Sequence, residues 1–300
     1  IIEAQLRDGG SAAAGGLLQQ LSDILPRMGL NGSKGPSCVV PINDIRGLEA
    51  MAYAKGEKLL RCKLAAVYRI MDLFGWSQGV NNYITARLNQ DEEVFLVNPY
   101  GVLFHEITAS SLIKVDMQGN VLEQGTTNYN VNLAGYSLNA AIHAARPDIK
   151  CIIQIHAPSV VAVASLKCGL LSVCREAIVV GSISTHPYIV SGLDDDDREK
   201  IVRNLGPINK VLFLNNQGAV CCGETVEEAF FNVYNTILAC ETQLKLMPIG
   251  VDNLVLIPEE SHKKIFDAAR RPPLVEKKSD ANEHPAVADK LERKWRVGGL

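Results

Sequence analysis

The stretches Cys151–Val163, CIIQIHAPSVVAV, and Leu212–Val220, LFLNNQGAV, decide the fold of this chain. Each has the pattern of a buried strand that ends in polar side chains. Gln154 and His156 are two residues apart, and side chains at that spacing on a strand point to the same face. The second stretch places Gln217 at a strand end, where a third metal ligand would stand. The pattern predicts the outline of a three-ligand metal site in which two of the three side chains are glutamine.

Composition bounds the class of protein. The 300 residues carry a formal net charge of −3 and 47% hydrophobic residues, which is typical of a globular chain with a substantial core. Without a basic excess, nucleic acid is not expected as the main partner. No apolar run approaches the ~18–20 residues that cross a bilayer, and the first residues lack the basic and apolar regions of a signal peptide. The missing initiator Met favours a piece of a longer chain.

The eight cysteines favour a reducing, cytoplasmic environment. Most lie in apolar runs, where a free cysteine behaves as a small hydrophobic residue, and no CxxC pair is present. Cys221 and Cys222 are adjacent and are expected to face opposite sides of a strand.

The order of patterns predicts three regions: a flexible segment over 1–40, an α/β domain over 41–260 and a largely disordered linker over 261–300. In the domain a helix over Lys58–Phe74 precedes four short antiparallel strands, after which strands and helices alternate. The expected later elements are as follows: helices at Leu133–Ala145, PSVVAVASL, LDDDDREKIVRNL and the long segment from Thr225, and strands at IKCIIQIH, EAIVVGSIST and KVLFLN. Short helices are also predicted at LLQQLSDILPRM and SHKKIFDAAR, one in each flanking region.

A phosphate-binding loop, a calcium loop and a serine nucleophile are each disfavoured, because the sequence lacks residues that these sites require. Gly218 and Gly223 have the spacing of a phosphate-binding loop, but Glu224 stands where that loop needs lysine and would repel phosphate. The run Asp194–Asp197 lacks the alternate spacing of a calcium loop and suits a helix N-terminus. No GxSxG turn is present for a serine nucleophile.

The order strand, QIHAP, helix, strand, NNQGAV, GETVEEAF, helix resembles the class II aldolase/adducin family. The resemblance covers roughly 40–260 and includes KGEKLLRCKLAAVYRIMDLFGWSQ and VFLVNPYGVLFHEITASSLIKVD, with TASSLIKV and LFGWSQ typical of the adducin branch. It implies a three-layer α/β/α domain around a mixed, largely antiparallel sheet.

The same resemblance implies where a zinc site would lie. Aldolases and epimerases of this family bind zinc with a His-x-His pair and a third histidine before a glycine, and these positions correspond here to Gln154, His156 and Gln217. Only His156 matches. A neutral glutamine amide is a weak zinc ligand, so neither a metal nor another cofactor is expected.

The family's catalytic glutamate aligns with Gly135, and its phosphate-binding serine pair aligns with Leu133 and Ala134. Without a carboxylate there is no general acid or base for cleaving a carbon–carbon bond. The expectation is therefore a pseudoenzyme. The alternative is a divergent aldolase or epimerase that acts on a sugar phosphate and uses a group such as His105 or Glu106. A third possibility is a small-molecule sensor that uses the remaining pocket.

For function, the resemblance implies the head domain of a membrane-skeleton protein. Its expected role is self-association, as a homo- or hetero-oligomer, in a longer protein that caps actin filaments and promotes the binding of spectrin to actin. Such a protein lies at the cytoplasmic face of the plasma membrane, peripheral to the bilayer.

Overall fold

The computed structural model describes residues 40–79, 82–89, 93–189 and 193–270. Seven α-helices lie within these ranges: α1 Lys55–Leu73, α2 Leu133–Ala145, α3 Pro158–Ala164, α4 Arg175–Val179, α5 Asp195–Leu205, α6 Val226–Leu246 and α7 Glu259–Arg270. The eight strands are β1 Ile84–Asn89, β2 Val94–Val97, β3 Ile113–Val115, β4 Val121–Glu123, β5 Cys151–Ile155, β6 Ile183–His186, β7 Val211–Leu214 and β8 Gly218–Gly223.

All eight strands form one sheet in the order β4-β3-β2-β1-β5-β8-β7-β6. Every neighbouring pair is antiparallel except β6 and β7, which run parallel. The predicted meander is β1 to β4, and β5 and β8 lie side by side at the centre with Gln154 opposite Val220. The predicted mixed, largely antiparallel sheet is confirmed.

Helices cover both faces of the sheet. On one face α1, α3 and α6 pack over the alternate residues Cys151, Ile153 and Cys221, and on the other α2 and α5 pack over Ile152 and Cys222. Since strand side chains alternate between faces, the adjacent cysteines 221 and 222 enter opposite layers of the core, as predicted. The architecture is the expected α/β/α three-layer domain.

Two predicted helix starts are held by their own side chains. The Asp194 carboxylate accepts the backbone N–H of Asp197 at 2.7 Å, so the acidic run caps α5. At α6, Thr225 Oγ1 accepts the N–H of Glu228 at 3.1 Å. The Glu228 carboxylate accepts the N–H of Glu224 at 2.7 Å, one residue earlier than in a standard capping box.

The segment predicted as one strand, EAIVVGSIST, is wrong over its first half. It begins inside α4, whose Ile178 and Val179 are buried, and only Ile183–His186 joins the sheet as β6. Gly181 separates the two elements at a φ of +82°, and the Phe266 ring lies where a side chain at 181 would stand. The β-branched run therefore turns at this glycine because α7 packs over it.

Helix boundaries differ slightly from the predicted ones. The first helix covers Lys55–Leu73 instead of Lys58–Phe74, and α7 begins two residues earlier than SHKKIFDAAR. α7 crosses the predicted domain end at 260: the side chain of its last residue, Arg270, lies 3.2 Å from Glu228 Oε1 of α6. The boundaries at 40 and 260 stay predictions, and LLQQLSDILPRM lies outside the described residues. Among the described helices, none combines the length and the apolar character needed to span a bilayer.

Candidate functional site

The site predicted from sequence is built where β5 ends beside the turn from β7 to β8. Ile155 pairs with Ala219 and Leu214 pairs with Gly218, which brings the residue after β5 next to the turn. The turn is tight because Asn216 has a φ of +61°, a left-handed conformation that asparagine tolerates better than most residues.

His156 is half-buried and bonded to this turn. Its Nδ1 donates to the backbone carbonyl of Gln217 at 2.9 Å. A carbonyl can only accept, so Nδ1 carries a proton. The Gln217 side chain points elsewhere and accepts the backbone N–H of Ile189 at 3.4 Å. The structure thus places His156 and Gln217 side by side, joined through the backbone of Gln217.

Gln154 is buried on the face of β5 that carries α2. Its side-chain nitrogen donates one proton to the Gly135 carbonyl at 2.9 Å and the other to Asn139 Oδ1 at 2.8 Å. Both acceptors belong to α2, the second one helical turn after the first. The amide group therefore fastens the first turns of this helix to the central strand.

The polar contacts continue from Asn139 across the sheet. Asn139 Nδ2 donates to Thr85 Oγ1 at 3.1 Å, and Thr85 Oγ1 lies 2.9 Å from Nε2 of His143. His143 Nδ1 lies 3.1 Å from the Ile149 carbonyl and donates to it. All of these side chains are buried, so each bond replaces water that the groups have lost.

Burial, together with the nearby Arg87 guanidinium, lowers the pKa of His143 to about 3. Because the pKa of His143 is lower in the folded than in the unfolded chain, its contribution to stability is complete above the unfolded pKa. That contribution is lost as pH falls towards 3. We expect the His143 ring signals in an NMR titration to stay unchanged from about pH 8 to 4.5. A midpoint near 6.5 would contradict the buried, hydrogen-bonded imidazole.

Gly135, the residue predicted from the sequence to align with the family's catalytic glutamate, lies in the first turn of α2. Its N–H is capped by Asn132 Oδ1 at 3.2 Å, and its carbonyl takes the Gln154 amide. A Cβ at 135 would meet Asn132 Nδ2 at 3.1 Å and Tyr83 Cγ at 3.4 Å. A Cβ at 135 would therefore require the Asn132 side chain to shift by a few tenths of an ångström.

The alternative acid–base candidates lie on the 3-10 helix Phe104–Glu106. His105 Nδ1 is 3.4 Å from Asp72 Oδ1, and Ser77 Oγ donates to the same carboxylate oxygen at 3.1 Å. Glu106 accepts the Leu103 N–H at 3.2 Å. Each contact fixes the local chain, and none joins these residues to Gln154, His156 or Gln217.

Two cavities lie elsewhere on the domain. One of about 1090 Å³ lies between the α3–α4 connection, β6 and α7, and another of about 910 Å³ lies between α2 and α5. Neither is lined by Gln154, His156, Gln217 or Gly135.

Zinc, which this fold family implies, does not fit the residues present. The donor set offers one imidazole nitrogen, and both amide protons of Gln154 are directed at protein carbonyl oxygens. Zinc sites use three or four histidine, cysteine or carboxylate ligands. In the described ranges no three such side chains come together as a possible metal group.

The three-layer fold around this mixed sheet defines a class, that of the class II aldolase fold. Residues 62–244 match the family model described as "Class II Aldolase and Adducin N-terminal domain". The chain belongs to the class II aldolase and adducin family, and its curated relatives place it in the adducin branch.

Among those relatives, Protein hu-li tai shao of Drosophila melanogaster is 56% identical over 98% of this chain and 27% of its own length. Alpha-adducin of Rattus norvegicus is 46% identical over 88% of this chain and 38% of its own length. The chain therefore spans between about a quarter and two fifths of these relatives.

Solved structures agree on the fold. An aldolase II superfamily protein from Pseudomonas syringae has a TM-score of 0.71 and 33% identity, covering 81% of this chain and 93% of its own. L-fuculose 1-phosphate aldolase from Glaciozyma antarctica has a TM-score of 0.65 and 26% identity, covering 75% and 89%. The resemblance inferred from sequence motifs is confirmed.

The partners of Gln154 were missed in the sequence. Asn139 is four residues after Gly135 and so lies on the same helix face, which is a usable signal. Thr85 carries no such signal, because 54 residues separate it from Asn139.

Proposed function

We propose that this chain is the non-catalytic head domain of an adducin-type cytoskeletal protein and that its role is self-association. In the longer protein this head would serve capping of actin filaments and the binding of spectrin to actin, at the cytoplasmic face of the plasma membrane. The relatives named alpha-, beta- and gamma-adducin support a family whose subunits assemble with one another.

One observation carries the non-catalytic part of the proposal. The amide at the first zinc position donates both of its protons to α2, and the carbonyl of Gly135, at the catalytic position, accepts one of them. A metal-bound aldolase needs a Lewis acid and a general acid or base at these two places. In this chain the Gln154 side chain, at the first of these positions, donates a hydrogen bond to the backbone carbonyl of Gly135, at the second.

The test of that part is a calorimetric zinc titration of the chelator-treated chain. We expect no stoichiometric binding at micromolar zinc, because one imidazole cannot hold the ion against water. His156→Ala is the matched control and should give the same trace. One zinc bound per chain at micromolar affinity, and lost in His156→Ala, would overturn the proposal and favour a divergent aldolase or epimerase.

Exposed aliphatic side chains support self-association. Between α6 and α7 the segment 247–257 exposes Ile249, Val251, Val255 and Leu256, with Val255 91% exposed. A run of exposed aliphatic residues of this kind is typical of a protein contact.

Sedimentation velocity tests this second part. We expect the chain to sediment faster than a 32.6 kDa monomer and Val255→Asp to shift it towards the monomer. Ile208→Asp is the matched control, since Ile208 is also a highly exposed aliphatic residue but lies on the α5–β7 connection. A wild-type chain that stays monomeric at all accessible concentrations would contradict the proposal.

A further inference from the structure

A series of hydrogen bonds, here called the donor chain, leads from Gln154 to the Ile149 carbonyl. Each bond in it has a fixed donor and a fixed acceptor. The Ile149 carbonyl can only accept, so His143 donates from Nδ1 and accepts at Nε2. Thr85 must then donate its hydroxyl proton to His143 and accept from Asn139 Nδ2. Asn139 Oδ1 is left as an acceptor, and Gln154 supplies its proton. Each member has one allowed orientation.

We propose that Gln154 is a structural cross-link between β5 and α2, and that its two donated protons complete the donor chain that ends at the Ile149 carbonyl. The inference rests on the proposed function in one respect, that the site is no longer catalytic. It assigns a present role to a residue that the family pattern alone describes as a lost ligand.

Glutamine suits this role for a chemical reason. Two buried acceptors, the Gly135 carbonyl and Asn139 Oδ1, lie within 2.9 Å of one nitrogen, and an amide nitrogen has two protons to give. A neutral imidazole has one N–H, and a carboxylate has none. Histidine or glutamate at 154 would therefore remove at least one of the two side-chain protons that these buried acceptors now receive, which is costly in a dry interior.

The position aligned with the family's catalytic glutamate, Gly135, is closely packed. The Asn132 side chain and the Tyr83 ring lie within 3.4 Å of the Cβ that a side chain at 135 would add. Histidine at 154 would remove one of the two donated protons, and a side chain at 135 would press on Asn132, which caps α2.

The experiment that tests this proposal changes Gln154 and measures the effect on His143, the side chain at the other end of the series of hydrogen bonds. In Gln154→Glu, studied at a pH high enough to ionise the introduced carboxyl, the side chain can only accept, so the Asn139 amide must turn its nitrogen towards it. Thr85 then donates to Asn139 Oδ1 and no longer to His143. We expect the ¹⁵N signal of His143 Nε2 to change, three side chains away, and the melting temperature to fall by about 4–8 °C.

Gln124→Glu is the matched control. Gln124 also donates from its side-chain nitrogen to two carbonyls, those of Thr127 and Tyr129, at 2.9 and 2.8 Å, but at an exposed position. It should leave the His143 signal unchanged. If Gln154→Glu does not fold, Asn139→Asp interrupts the same chain one step later and must give the same change at His143. An unchanged His143 signal in the folded variant would overturn the proposal.

The His143 signal tests the cross-link, and the zinc titration tests the non-catalytic role, so one proposal can be overturned without the other. Zinc binding by the wild type together with a changed His143 signal in Gln154→Glu would remove the non-catalytic role and leave the cross-link standing. No zinc binding together with an unchanged His143 signal would leave the non-catalytic role standing and remove the cross-link.

Discussion

Arg61→Met is expected to lower the free energy of unfolding by about 3–5 kcal/mol, the usual cost of breaking a buried ion pair from one side. Arg61 is fully buried on α1 although it carries a charge. Its Nε is 2.8 Å from Glu57 Oε1, its Nη1 donates to the Leu112 carbonyl at 2.6 Å, and its Nη2 is 3.3 Å from Glu123 Oε1. Methionine has a similar length and offers no donor, so the Leu112 carbonyl would be left buried without the Arg61 proton.

Chemical denaturation measures this loss, with Lys63→Met as the matched control. Lys63 lies on the same helix and pairs with Glu227 at 2.7 Å, but both side chains are 41% exposed. A solvent-exposed pair contributes about 0–1 kcal/mol, so the control should be almost neutral.

A double variant separates the lost charge pair from lost packing. Glu57→Leu with Arg61→Met removes both partners, and its loss should be smaller than the sum of the two single losses. A single variant within 1 kcal/mol of wild type, or fully additive losses, would contradict a buried ion-pair role for Arg61.

Arg61 illustrates which features of the fold could be predicted from the sequence and which could not. The helix over Lys58–Phe74 could be predicted because the periodicity of its apolar residues is a local signal. Of those residues Leu64, Val67 and Met71 are buried, whereas Phe74 is 53% exposed. Nothing local indicated that Arg61 would be buried as well. Apart from Glu57 one helical turn earlier, its carbonyl and carboxylate partners come from β4 and the loop before β3, about 50 to 60 residues later.

The missed helix α4 has a similar cause. A five-residue helix is too short to show a period, and its β-branched residues favour a strand by propensity alone. The helix forms here because Ile178 and Val179 are buried in the core, which is a tertiary effect.

The candidate site also has a part that could be predicted from the sequence and a part that could not. The positions of His156 and Gln217 could be predicted because each follows a strongly patterned strand, and the ladder between β5 and β8 brings them together. The hydrogen-bond chain through Thr85 and His143 could not be predicted. It depends on the register between β1 and β5, in which Thr85 lies opposite Ile152, and on the rotation of α2 about its axis.

Gly218→Ala is expected to destabilise the chain by about 3–5 kcal/mol, through strain and overpacking together. Gly218 has a φ of +149°, and a Cβ there would lie 2.1 Å from the Ile155 carbonyl oxygen and 3.1 Å from His156 Nδ1. The first of these atoms belongs to the backbone of β5 and cannot move without opening the β5–β8 ladder. The same close approach lets His156 reach the Gln217 carbonyl, so the site and the sheet would be damaged together.

Denaturant unfolding gives the overall loss, and amide hydrogen exchange locates it. Protection should fall in β5 and β8 and stay close to wild type in β2 and β3, which do not pair with either strand. Gly169→Ala is the matched control: Gly169 also has a positive φ, +61°, but nothing lies within 4 Å of its added Cβ. It should lose about 1–2 kcal/mol from the left-handed backbone alone. Equal losses in the two variants would mean that backbone conformation, and not the contact with β5, requires glycine at 218.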